Sequence, residues 1–194
     1  MHAVVVIGAS AGGFEPLRRI IAALAVPCTA SVFVVMHIGS KPSVLPSLLD
    51  RPGLPAGFAR DGTLIEAGHI YVAPPDHHML LERHGIRLSH GPKVHYTRPA
   101  VDPLFVSAAE IHGNRVFGVI LSGANGDGAT GLLAIKMHGG ATLVQLPEDA
   151  AYPSMPRAAI MAGHPNDCLP VEEIAQRVGI FCSGSRSPPS DYHD

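Results

Sequence analysis

Apolar positions along the chain form two alternating patterns. Val4-Val5-Val6-Ile7, Ser31-Val32-Phe33-Val34-Val35-Met36 and Val116-Phe117-Gly118-Val119-Ile120-Leu121 are near-continuous runs rich in β-branched residues. Runs of this kind predict strands buried on both faces. After the first run, Leu17, Ile20, Ile21 and Leu24 recur at i, i+3, i+4 and i+7, the spacing of an amphipathic helix. A second helix carries Leu104, Phe105, Ala108, Ala109 and His112 on one face and stops at Gly113-Asn114. Asp102-Pro103 before it reads as an N-cap followed by proline at the first helical position. Further helices are expected at 43–50 (apolar face Val44, Leu45, Leu48 and Leu49), 130–137, 154–161 and around Val171, Ile174 and Val178. Shorter strands are expected at 70–73 and 141–145. Met79 to Arg83 and Ile86 to Ser89 flank His84-Gly85, which is hairpin chemistry.

Strands alternating with helices predict a three-layer α/β fold: a doubly wound, mostly parallel sheet with helices on both faces and an antiparallel hairpin at one edge. Residues 1–182 read as one folded domain. The stretch 183–194, with its Ser-Gly-Ser-Arg-Ser-Pro-Pro-Ser start, reads as a flexible tail.

Composition narrows the classes. Hydrophobic residues make up 46% and charged residues 15%, which excludes a disordered chain. A formal net charge of −2 offers no basic footprint for nucleic acid. No apolar run approaches the roughly 18 residues that would insert in a membrane, and no signal peptide opens the chain. Cys28, Cys168 and Cys182 lack metal-type spacing and read as free thiols of a cytoplasmic protein. The 12 histidines likewise show no ligand spacing, so neither a metal nor another cofactor is expected.

Candidate chemistry gathers at the ends of the three apolar runs. The first leads into Gly8-x-Ser10-x-Gly12, the pattern of a nucleophilic serine on a strand-to-helix turn. A phosphate-cradling turn is the competing reading, although neither Gly-x-Gly-x-x-Gly nor a Walker-type Gly-Lys-Ser/Thr is present. The second run ends at His37, where a dinucleotide-binding domain would have an acid for the ribose. The third leads through Ser122-Gly123-Ala124-Asn125-Gly126 to Asp127, which alone would read as an N-cap. In a doubly wound sheet all three residues emerge on the carboxyl edge. Serine, histidine and aspartate together supply what acyl transfer needs: nucleophile, proton carrier and orienting carboxylate.

The sequence also resembles the CheB-type protein-glutamate methylesterases of bacterial chemotaxis. The matching stretches are Ile7 to Gly13, Val34 to His37, His69 to Pro74, Arg98 to Asp102, Val119 to Gly123, Gly126 to Leu132 and Ser154 to Arg157, in family order. The resemblance implies that Ser10 is the nucleophile, His37 the general base and acid, and Asp127 the orienting carboxylate. It implies hydrolysis of glutamate γ-methyl esters on chemoreceptors, with deamidation of receptor glutamines as a second reaction. It maps one oxyanion-hole backbone N–H to Ala124, and Ala11 is expected to supply another. Arg98 and the 91–99 loop are candidates for contacting an acidic receptor helix. Two departures stand out. The receiver domain that family members usually carry ahead of the esterase domain is not read in this sequence, so a stand-alone or an excised catalytic domain is expected. Ser122-Gly123-Ala124-Asn125 replaces the common Thr-Gly-Met-Gly, putting an asparagine where the family has glycine. A binding module that keeps the esterase fold without its chemistry is the alternative, and a nucleotide-binding domain a more distant one.

Overall fold

The three apolar runs become the middle of one parallel sheet. In a computed structural model that describes residues 2–83, 85–163 and 165–184, β1 (Val4–Ala9) lies between β2 (Ser31–Met36) and β7 (Val116–Ile120). Every residue of β1 and β7 is buried, as continuous apolar runs require. The full order is β3-β4-β2-β1-β7-β8-β9, all parallel. Its outer strands are β3 (Ala56–Phe58), β4 (Ile70–Val72), β8 (Ala141–Gln145) and β9 (Asp167–Leu169). The chain builds outward from β1 on one side through β2, then returns to build outward through β7. β1 is therefore the topological switch point, outside whose carboxyl end α/β sheets place their ligands.

Alternate residues of each strand serve opposite layers. Val5, Ile7 and Ala9 pack against α1 (Phe14–Ala23), α2 (Leu45–Leu49) and α6 (Val171–Cys182). Val4 and Val6 pack against α3 (Val101–His112), α4 (Ala129–Met137) and α5 (Ser154–Gly163). The hairpin β5 (His78–Glu82) and β6 (Gly85–Ser89) forms a two-stranded sheet of its own. Met79, Leu81 and Ile86 bury it in the α3 layer. Among the described residues no helix is long and apolar enough to cross a membrane. Residues 185–194, most of the expected tail, lie outside the described residues.

Some local expectations shift. α2 buries Leu45, Pro46 and Leu49 but leaves Val44 and Leu48 exposed. α3 starts two residues early, with Ala100 as its N-cap. Asp102 therefore sits inside the first turn, and its carboxylate does not cap its own helix. It accepts instead from the Gly131 N–H at 2.7 Å, tying α3 to α4.

The approach of α3 to the sheet depends on Gly8. A Cβ there would lie 2.5 Å from Val101 Cγ1 and 2.9 Å from Val101 Cγ2. Gly8→Ala is expected to cost about 1–3 kcal/mol through overpacking, or roughly 2–12 °C in melting temperature. Calorimetry checks this.

A second sensitivity lies at the other end of α3. His112 is only 6% exposed, and neither ring nitrogen has a hydrogen-bond partner among the described residues. Burial, followed by the nearby positive charge of Arg115 and His2, depresses its pKa from 6.5 to about 4. The unfolded chain therefore binds a proton that the folded ring refuses. This contribution is fully present above pH 6.5 and is lost as pH falls toward 4, and it amounts to roughly 3 kcal/mol when complete. Urea unfolding across that window is expected to show a falling midpoint, flattened in His112→Leu.

Candidate active site

The register of the central strands sets the site. Ala9 pairs with Met36 at the carboxyl ends of β1 and β2, so Ser10 and His37 leave the sheet side by side. The His37 N–H donates to Ala9 O at 3.2 Å and carries the ladder one residue further. The Ser10 N–H donates to Ser122 O at 2.9 Å, which fixes the turn against the segment following β7. The left-handed residue of this turn is Gly12, at φ +69°. Positive φ at non-glycine residues occurs only at Asp76, His95 and Tyr96 among the described residues. Ser10 thus sits in a turn without left-handed strain of its own.

Asp127 reaches the histidine from the far side of β1. Its Oδ2 accepts from His37 Nε2 at 2.8 Å and from the Val101 N–H at 2.6 Å, and its Oδ1 accepts from the Asp102 N–H at 3.0 Å. The carboxylate thus caps the N-terminus of α3, where two backbone donors and the helix dipole favour negative charge. It is completely buried. Burial pushes its pKa up, but the His37 bond and the two backbone N–H bonds outweigh that, and the net shift is downward. An ionised carboxylate only accepts, so the His37 proton resides on Nε2 and the lone pair on Nδ1. The same Nε2 lies 3.4 Å from Thr97 Oγ1. No hydrogen bond joins Ser10 Oγ to the ring.

The resemblance assigns two backbone donors to an oxyanion hole, on Ala11 and Ala124. Neither the Ala11 N–H nor the Ala124 N–H has an acceptor among the described residues. Ala11 lies in the turn before α1, and Ala124 is exposed in the loop after β7. That loop is anchored by Gly123, whose N–H donates to Tyr152 O at 2.9 Å and whose carbonyl accepts from the Met155 N–H at 3.0 Å. Asn125, the departure from the common pattern, accepts the Asp127 N–H on its Oδ1 at 3.1 Å. It closes the loop without positive φ.

Arg98 lines the cleft but is largely committed within the protein. Its Nε and Nη2 donate to Asp76 Oδ1 at 3.0 and 2.8 Å, and its Nη1 donates to the carbonyls of His90 and Gly91. The guanidinium holds the Asp76 carboxyl below its ordinary range. Arg98 thereby fastens the 91–99 loop beside His37. The resulting cleft, about 200 Å³, is lined by His37, Asp76, Lys93, Tyr96, Thr97 and Arg98, among others. His95, Asp102 and Asp127 bring a ring nitrogen and two carboxylate oxygens within 4.8 Å of one another. Both carboxylates already accept backbone N–H bonds.

Sequence reasoning missed the polar support under the turn. Ser122 Oγ donates to Ala11 O at 2.8 Å and accepts from the Tyr152 N–H at 2.9 Å. Its own N–H donates to Gln145 Oε1, and Gln145 Nε2 donates to Asp149. Ser122 and Gln145 are both buried. A polar residue ending each of two buried strands was the available signal, since buried polar groups must find partners.

Fold and site together define a doubly wound α/β domain with a hydrogen-bonded His37–Asp127 pair and the Ser10 turn at the carboxyl edge of its switch point. Residues 5–178 match the family model described as CheB methylesterase. The chain belongs to that family. A Leptospira interrogans protein is 37% identical over 178 residues, or 89% of this chain and 91% of its own length. The "Protein-glutamate methylesterase/protein-glutamine glutaminase 2" of Anaeromyxobacter dehalogenans is 41% identical over 173 residues, 88% of this chain but 51% of that protein. The crystal structure of the Thermotoga maritima CheB methylesterase catalytic domain superposes with a TM-score of 0.85 at 32% identity, covering 92% of this chain and 97% of that one.

Proposed function

We propose that this chain hydrolyses glutamate γ-methyl esters on chemoreceptor proteins, and deamidates glutamines at such positions, through an acyl-enzyme on Ser10. Residues 1–182 are the catalytic unit, 183–194 a tail, and the cytoplasm the compartment. The observation that carries the reading is the His37–Asp127 pair. A buried carboxylate, held by two backbone donors, occupies the Nε2 side of the imidazole, and His37 leaves β2 alongside the turn that carries Ser10, which supports Nδ1 as the base that serves it. Membership of a family whose relatives carry the methylesterase/glutaminase name supports the substrate.

In the first half-reaction Ser10 Oγ attacks the ester carbonyl carbon while Nδ1 takes the hydroxyl proton. The imidazolium is stabilised by Asp127. The carbonyl oxygen becomes an oxyanion within reach of the Ala11 and Ala124 N–H groups, where preformed donors do the most to lower the barrier. As the tetrahedral intermediate collapses, the C–O bond to methoxide breaks and Nδ1 returns the proton, releasing methanol. Water then attacks the acyl-serine, giving its proton to Nδ1, and glutamate leaves as Ser10 is restored. With glutamine the leaving group is ammonia.

The test is methanol release from methyl-labelled chemoreceptor. Wild type is expected to liberate labelled methanol in proportion to enzyme. No release above that of a His37→Ala control would reject the esterase reading and leave the binding module in its place.

A further inference from the structure

The 93–97 strap beside the catalytic cleft has a use that the esterase chemistry itself leaves open. Its tip is a two-residue turn, closed by Val94 N–H to Thr97 O at 3.1 Å and Thr97 N–H to Val94 O at 2.9 Å. The turn residues His95 and Tyr96 lie at φ +48° and +63°. Side chains rarely adopt this conformation, and it persists only where the surroundings impose it.

The surroundings here are explicit. Thr97 Oγ1 donates to Val94 O, and His95 Nε2 meets Asp102 Oδ2 at 3.1 Å. Below the tip, His78 accepts the Ala100 N–H on Nδ1 and donates from Nε2 to Pro92 O. The strap is pinned at its tip and at both ends.

What this scaffold presents is a tyrosine that is 96% exposed, next to Lys93, which has no ion-pair partner among the described residues. Both line the cleft that contains His37. A single exposed aromatic is ordinary on a protein surface. An aromatic on a pinned, left-handed turn beside His37 is different, because the backbone that carries it is already ordered and only the ring's own rotamers are lost when it is covered.

We propose that Tyr96 and Lys93 form a substrate-selecting lip. Tyr96 covers an apolar patch on the protein segment that carries the ester, and Lys93 pairs with a carboxylate flanking it. This rests on the esterase reading. That chemistry favours the charge match, because each turnover leaves a glutamate carboxylate on the substrate, and a segment with several such sites becomes anionic as it is processed.

The experiment compares two substrates: methylated chemoreceptor and the capped single residue N-acetyl-glutamate γ-methyl ester amide, which has no flanking segment. Tyr96→Asn removes the ring but tolerates the left-handed backbone, so the turn survives. Tyr96→Phe retains the ring, and Lys93→Glu inverts the charge. KM for receptor is expected to rise about tenfold in Tyr96→Asn and Lys93→Glu, with kcat unchanged and Tyr96→Phe close to wild type. The Lys93→Glu effect is expected to shrink as salt is raised. Turnover of the capped residue is expected to be unaffected in all three. Unchanged receptor KM in Tyr96→Asn and Lys93→Glu would overturn the lip while the active wild type preserves the esterase reading. An equal loss on both substrates would also overturn it. Wild type inert on both substrates would overturn the esterase reading and the lip together.

Discussion

Ser10→Ala is expected to lower methanol release from methylated receptor by about 10⁴-fold or more, the usual consequence of deleting a triad member. The loss belongs to chemistry and not to folding. Ser10 Oγ makes no hydrogen bond among the described residues, so alanine leaves no buried partner unsatisfied. The backbone bonds that hold the turn, Ser10 N–H to Ser122 O and Gly13 N–H to Ser10 O, are indifferent to the side chain. Melting temperature is therefore expected to stay within a degree or two of wild type. Intact-protein mass spectrometry gives a second readout. A quenched wild-type reaction is expected to contain acyl-enzyme that Ser10→Ala lacks. Residual activity near the wild-type level would mean that Ser10 is not the nucleophile.

Different parts of this design were legible to different degrees. The core strands β1, β2 and β7 announce themselves because burial on both faces demands continuous apolar runs. Ser10, His37 and Asp127 could be placed on one edge because each follows such a run. β3 and β9 are three residues each and, unlike the equally short β4, have no buried residue, so neither carries an apolar run. The carboxylates were harder. Asp102 before Pro103 looks like a cap, yet the helix begins two residues earlier and the side chain turns to Gly131. Asp127 looks like a cap for α4, yet its oxygens serve α3, a helix 25 residues back in the chain. Sequence spacing cannot tell which helix end an aspartate serves when both converge on one sheet edge. Arg98 was singled out as a substrate contact, but its donors are largely engaged by Asp76 and two loop carbonyls. That pairing depends on how the loop folds back, which no local pattern records.

Asp127→Asn is the other large effect, and it separates electrostatics from geometry. The wild-type carboxylate accepts three N–H bonds and donates none. An asparagine must place its NH₂ at one of the two oxygen positions. At the Oδ2 position the NH₂ would face the His37 Nε2–H and the Val101 N–H, and the ring relieves the conflict by moving its proton to Nδ1. Nδ1 then has no lone pair for the Ser10 proton. At the Oδ1 position the NH₂ faces the Asp102 N–H instead. The tautomer survives, but the imidazolium loses its counter-charge. Either way kcat is expected to fall by about 10³–10⁴-fold, with KM nearly unchanged because Asp127 is buried away from substrate. At least one buried backbone donor is left facing another donor, which costs about 1–3 kcal/mol and lowers the melting temperature by roughly 2–12 °C. The pH dependence identifies the cause. Asp127 titrates below 3.8, its ordinary value, so its stabilisation is present above that value and is lost as pH falls through the lowered folded pKa. Wild type and Asp127→Asn are expected to converge in stability as pH falls below about 4. A difference that persisted unchanged at pH 2–3 would assign the effect to packing and not to the carboxylate's charge.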